Sequence, residues 1–134
     1  MKLLSSKVNS GALNFALLLQ RVVFGALIMM HGWPKLVNFA SKAQTFSDPL
    51  GIGRTPSLIL VIFAEFFCGA LVLMGLLTRL ATVPLIILFC VIVFMIHGND
   101  PVMQKEAAVM FLGMWVSILC TGPGRYSLDA AIGK

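Results

Sequence analysis

Charged residues are scarce in this chain. They make up 11% of its 134 residues, ten Lys and Arg against five Asp and Glu. A soluble domain carries about 25%, so there are too few polar groups to cover a water-facing surface. Cysteine is equally sparse. Cys68, Cys90 and Cys120 lie in different apolar stretches and none forms Cys-x-x-Cys, which excludes the usual dithiol redox signature. They read as small apolar fillers. His31, His97 and Glu106 are suitable ligand types, but no tight His-x-x-x-His spacing supports a metal centre, and none is expected. No basic block or aromatic-basic interleaving points to a nucleic acid. The apolar runs lack the polar alternation of a transmembrane barrel. Gly122-x-Gly124 follows no strand and is not a phosphate loop. Without repeats, low-complexity tracts or a second composition, residues 1–134 read as one domain.

What is present is apolar. Hydrophobic residues are 59% of the chain and mean hydropathy is +0.97. Four stretches stand out, roughly Ala12–Met30, Ser57–Leu77, Leu80–Ile96 and Ala107–Leu119. Each is near the ~20 residues that cross a bilayer core if the last begins at Pro101. The pattern predicts an all-α membrane protein, a four-transmembrane-helix bundle with a short interfacial segment between helices 1 and 2. Pro34 should end or kink helix 1 near Gly32–Pro34. Leu36, Phe39, Ala40, Ala43 and Phe46 then recur at helical spacing, as in a short helix lying in the interface. Asp48-Pro49-Leu50-Gly51 reads as a turn. Helix 2 runs from Pro56 or Ser57 to Leu77, and the short link to helix 3 makes a hairpin. Thr78 is the expected N-cap of helix 3. Asp100 is expected to cap helix 4, with Pro101 in its first turn. Gly122-Pro123-Gly124 should stop helix 4, and Ser127 should cap a terminal turn. Short connections favour an up-down-up-down bundle.

The start, Met1-Lys2-Leu3-Leu4, resembles a signal peptide only briefly, since Asn9, Ser10 and Asn14 interrupt it and Arg21 falls inside the apolar run. It reads as uncleaved. With both termini cytoplasmic, Lys2, Lys7, Arg79, Arg125 and Lys134 lie inside, against Lys35, Lys42, Arg54 and Lys105 outside. That narrow excess favours cytoplasmic termini in an inner membrane.

Arg21 and Glu65 are charges in the wrong solvent. Arg21 falls roughly 15 Å below the end of helix 1, and Glu65 roughly 13 Å below the same side. An intramembrane Arg or Asp costs about 2.5–3.5 kcal/mol on insertion scales, and Glu should be similar. Each has a glycine one turn later, Gly25 and Gly69, which permits close approach. The expectation is an Arg21–Glu65 pair, either a structural clamp or the charged floor of a pocket. His31, Lys35, His97 and Glu106 fall at the outer side and are expected to form its mouth. A helix-4 face through Met110, Gly113 and Ser117 continues from Glu106. The competing reading is that His31 and Lys35 are headgroup anchors, with Lys35 snorkelling.

Five segments occur in a recognisable order: Arg21-x3-Gly25, His31-Gly32-x2-Lys35, Glu65-x3-Gly69, Gly75-Leu76-x-Thr78-Arg79 and Gly122-x-Gly124-x2-Ser127-x-Asp129. Together they resemble the DoxX family of small membrane proteins. The resemblance implies an inner-membrane, four-helix protein. Its namesake relatives are subunits associated with thiosulfate:quinone oxidoreductases, and others are linked to thiol or oxidative-stress systems. No flavin, haem or iron–sulfur motif accompanies it. The leading expectation is a redox-complex subunit binding a quinone-like or other small amphipathic molecule, with no covalently attached group. Arg21, His31, Lys35, Glu65, His97 and Glu106 are its candidate ligand-binding residues. Two alternatives stand beside it: a small transporter for an anion such as a sulfur oxyanion, and a non-catalytic membrane anchor or assembly subunit. The expected partners are the lipid bilayer and soluble or membrane redox subunits, and a homo-oligomer is compatible with this reading.

Overall fold

The computed structural model describes residues 3–133, so Lys2 and Lys134 of the charge tally lie outside the described residues. Four helices are long and apolar enough to cross a membrane: α1 (Ser10–Val37), α3 (Arg54–Met74), α4 (Thr78–Ile96) and α5 (Val102–Thr121). Between α1 and α3 lies α2 (Phe39–Thr45), and α6 (Leu128–Ala131) closes the described chain. Every element is helical, as the apolar runs require: a backbone in hydrocarbon must satisfy its own hydrogen bonds.

The boundaries follow from local chemistry. Asn9 caps α1 by accepting from the Gly11 and Ala12 amides. The helix does not stop at Gly32–Pro34. It continues through Pro34 to Val37, because proline removes a single N–H on an exposed flank and the following turn still closes, Asn38 N donating to Pro34 O at 3.0 Å. α3 ends at Gly75, whose left-handed φ of +73° favours glycine. There the Leu76 and Gly75 amides donate back to Leu71 O and Val72 O, a Schellman closure. Gly122, at φ +78°, stops α5 as expected, and Ser127 caps α6 through the Ala130 amide.

Two caps differ from expectation. Thr78 does not cap α4. The amides of Leu77 and Thr78 donate instead to the carboxylate of Asp129, at 2.8 and 2.9 Å. Asp100 does not cap α5 either. A 3₁₀ turn, Val102–Lys105, precedes the α-helical part from Glu106, and Asp100 bonds His97 Nδ1 at 2.7 Å.

The core joins all four spans. Phe89 and Trp115 both stack with Phe111, at centroid distances of 5.3 and 5.7 Å, and Phe24 meets Phe111 edge-on. Ile28, Cys68, Val72, Leu85 and Ile118 fill the space around them. Lipid tails are as apolar as these side chains, so close packing and hydrogen bonds hold the bundle together. α1 and α3 approach most tightly at glycines. A Cβ on Gly25 would lie 3.1 Å from Gly69 O, and one on Gly32 would lie 3.0 Å from the Phe66 amide nitrogen.

Candidate functional site

The α1–α3 register decides which charges meet. Gly32 lies against Glu65 and Phe66, Gly25 against Gly69 and Leu73, and Arg21 beside Gly75. Arg21 is therefore eleven residues, about 16 Å along the axis, from the level of Glu65. The expected Arg21–Glu65 pair does not form. That expectation measured depth from His31, taken as the end of helix 1, and began helix 2 at Pro56 or Ser57, whereas α1 extends to Val37 and α3 begins at Arg54.

Arg21 is 1% exposed and its partners are backbone carbonyls. Nε donates to Pro123 O at 3.0 Å, Nη1 to Val72 O and Leu73 O at 3.3 and 3.1 Å, and Nη2 to Tyr126 O. Val72 and Leu73 belong to the last turn of α3, where a cation is favoured; Val72 O also accepts from the Gly75 amide. Asp129 adds charge compensation. The Asp129 amide also donates to Gly75 O, and the Arg125 amide to Asn14 Oδ1, both at 2.8 Å. The segment from Gly122 to Asp129 is thus a latch across α1, the α3–α4 turn and the start of α4. Arg21 is its central rivet.

Glu65 pairs instead with Lys35, which also donates to His31 O at 3.2 Å. The Glu65 side chain is 5% exposed and that of Lys35 23%. Glu65 sits in a π-helical turn, Phe63–Cys68, and a second one, Ile92–Ile96, faces it from α4. Such turns recur at functional sites because the extra residue redirects side chains that a regular repeat would place elsewhere.

Between these turns lies a cleft of about 550 Å³, within the range of small-molecule sites. Its walls are apolar, Leu60, Phe63 and Ala64 from α3 facing Ile87, Val91 and Ile96 from α4. Its polar groups are few: Lys35 and Glu65, then Ser47, Ser57 and His97. The linker supplies Phe46, Pro49, Leu50 and Ile52. Asp48 holds that linker in place. Its carboxylate accepts from the Ile52 and Gly53 amides and from Ser57 Oγ, at 3.0, 2.9 and 3.0 Å. These bonds, led by the Gly53 amide, hold the Asp48 carboxyl below the usual carboxylate range.

Of the six candidate residues, Lys35, Glu65 and His97 border this cleft. Arg21 belongs to the latch. His31 is exposed, its ring edge-on to Phe111 with centroids 5.9 Å apart, and contributes its carbonyl to Lys35. Glu106 is exposed at the start of the α-helical part of α5, and Gly113 on the same expected stripe has open space beyond it. That stripe faces outward, so the mouth does not gather all four residues. Two contributors were not foreseen. Lys105 had entered only the charge tally, yet its ammonium group binds Val93 O and His97 O at 3.1 and 3.2 Å. Asp48 carried only a turn signal. Both act at chain reversals, where pairing across a loop has no periodic signature.

The family model for DoxX matches residues 16–98, which include Arg21, Lys35, Glu65 and His97. The chain belongs to the DoxX family. It is similar to the inner membrane protein YqjF of Escherichia coli K12, 28% identical over 127 residues that cover 90% of this chain and 95% of YqjF. It is also similar to the uncharacterized membrane protein Rv3486 of Mycobacterium tuberculosis, 30% identical over 138 residues, covering 85% of this chain and 79% of that protein. No solved structure matches. This DoxX protein is accordingly an integral membrane protein with four helices suited to span the bilayer.

Proposed function

We propose that this DoxX protein is a membrane subunit that binds a small amphipathic molecule, of which a quinone is the leading example, in the cleft between α3 and α4. One observation carries the reading: a largely buried Lys35–Glu65 pair borders an otherwise apolar space of about 550 Å³. A pre-formed apolar cleft with few polar groups suits an apolar body and a hydrogen-bonding head. The walls include Leu60, Phe63, Ile87 and Ile96, which are exposed on helices of membrane-spanning character. Entry from the bilayer therefore favours a lipid-soluble ligand. A sulfur oxyanion carrier would use Arg21, whose N–H groups are already directed at four backbone carbonyls. The link to quinone-coupled sulfur or thiol chemistry, and to partner redox subunits, rests on the family resemblance alone. The proposed location is the inner membrane with both termini cytoplasmic. The latch supports their common side, since the Arg125 amide reaches Asn14 near the start of α1.

Binding is tested with a short-chain quinone and its quinol, each titrated into the full chain in lipid nanodiscs. Saturable binding that Leu60→Trp blocks by filling the cleft is expected. Binding untouched by Leu60→Trp places the ligand elsewhere, and no saturation removes the reading. Single cysteines placed at Ser5 and Gly133 should label from the cytoplasmic side alone. Labelling from opposite sides would refute the even number of spans.

A further inference from the structure

Glu65 is 4% exposed and borders the cleft, yet only one of its carboxylate oxygens is occupied by protein. Oε1 accepts from Lys35, while Oε2 accepts no hydrogen bond from any described residue. An ionised carboxylate only accepts, and its two oxygens offer about four lone-pair sites. Oε2 is not fully enclosed, and a charged acceptor short of donors beside an apolar space favours a donor that can reach it. The ammonium of Lys35 is better supplied, since two of its three protons go to Glu65 Oε1 and His31 O. Glu65 also offsets its charge. The polar end of the cleft therefore asks for a donor far more than for a negative charge.

From this we infer that the cleft takes an amphiphile whose head bears a hydroxyl group, a phenol or alcohol whose O–H donates to Glu65 Oε2. The inference rests on the amphiphile reading above and narrows its ligand class: of a quinone couple it selects the reduced quinol, which carries O–H groups, over the quinone, whose carbonyls only accept. The hydroxyl oxygen remains free to accept the third proton of Lys35, so one small group can serve both partners. Phe46, Phe63, Leu60 and Ile87 would enclose the apolar ring or chain. An anionic head would meet the Glu65 carboxylate at close range. An ether or ester head would fill the space and leave Oε2 without a donor.

Matched probes test this on the full chain in zwitterionic nanodiscs. They are para-octylphenol, its methyl ether para-octylanisole, and para-octylbenzenesulfonate, with occupancy read by equilibrium dialysis. The phenol should bind about tenfold or more tightly than its methyl ether, the size of one hydrogen bond to a charged group. The sulfonate should bind more weakly than the phenol. In Glu65→Gln the amide can donate or accept, so the phenol's advantage should shrink several-fold. The wild-type series decides the matter even if that variant fails to fold. Equal affinity for phenol and ether overturns the hydroxyl inference and leaves the amphiphile reading standing, with a water molecule as the donor to Oε2. Tightest binding of the sulfonate also overturns it. If none of the three binds, both readings fall together.

Discussion

Arg21 and Glu65 are both buried charges in helices of membrane-spanning character, and they end in opposite circumstances. Arg21 is surrounded by backbone carbonyls that belong to the fold: two from the last turn of α3, two from the segment after α5. Four of its five N–H groups are directed at fixed acceptors. A concavity of about 410 Å³ lies nearby, but the carboxylate it exposes, Asp129, is engaged with the Leu77 and Thr78 amides. Glu65 has one side-chain partner, Lys35, an oxygen without a protein donor, and an apolar cleft beside it. A charge in a membrane chain is therefore not a site by itself. Unused bonding capacity next to open space is what separates a binding end from a latched end.

The largest expected effect comes from breaking the latch. Arg21→Met removes the donor from four carbonyls and should lower detergent stability by about 3 kcal/mol or more. Adding Glu65→Gln should bring no recovery, because the two groups are too far apart to couple. Recovery in the double variant would restore the Arg21–Glu65 pairing and erase the distinction between the ends. Thermal unfolding of the four proteins of this cycle reads the outcome.

A second cycle sharpens the comparison at the cleft. Lys35→Met strands a carboxylate and Glu65→Gln strands an ammonium, each largely buried. The singles should be non-additive by about 1–2 kcal/mol, with the double less unstable than the sum. Lys35 is the more exposed partner, so Glu65→Gln, which leaves an ammonium that water can reach, should be the milder single change. Asp129→Ala removes the cap of α4 and should cost about 1–2 kcal/mol without changing ligand affinity.

The smallest effect concerns the linker. Asp48 is held below the usual carboxylate range, so its contribution to linker order is present above its ordinary pKa. It is lost as pH falls through the depressed value in the folded protein. Hydrogen exchange at the Ile52 and Gly53 amides should quicken, beyond its intrinsic pH dependence, below about pH 4. Asp48→Asn should remove that extra response.

The helices were legible because hydrophobic length alone identifies a span. The stops at Gly75 and Gly122 and the cap at Ser127 were legible because each is local chemistry. The stagger of α1 against α3 was not, since it depends on where the helix ends fall and Pro34 marked the wrong boundary. Lys35, Glu65 and His97 were found by residue type and approximate depth. They were also expected at one pocket, but the direct Lys35–Glu65 pair was not, since Glu65 was assigned to Arg21 and the π turns at Phe63–Cys68 and Ile92–Ile96 break the repeat on which a helical wheel relies. The Asp129 cap spans 51 residues to Thr78, a distance no local pattern records.

The central claim is that the Lys35–Glu65 end holds a ligand and the Arg21 end does not. Photo-crosslinking with a diazirine-bearing alkylphenol in nanodiscs, mapped by peptide mass spectrometry, tests it most directly. Labels should concentrate on 57–65 and 84–97 and fall when unlabelled alkylphenol competes. Labels concentrated on 77–80 and 123–129, or spread along all four spans without competition, would contradict the account.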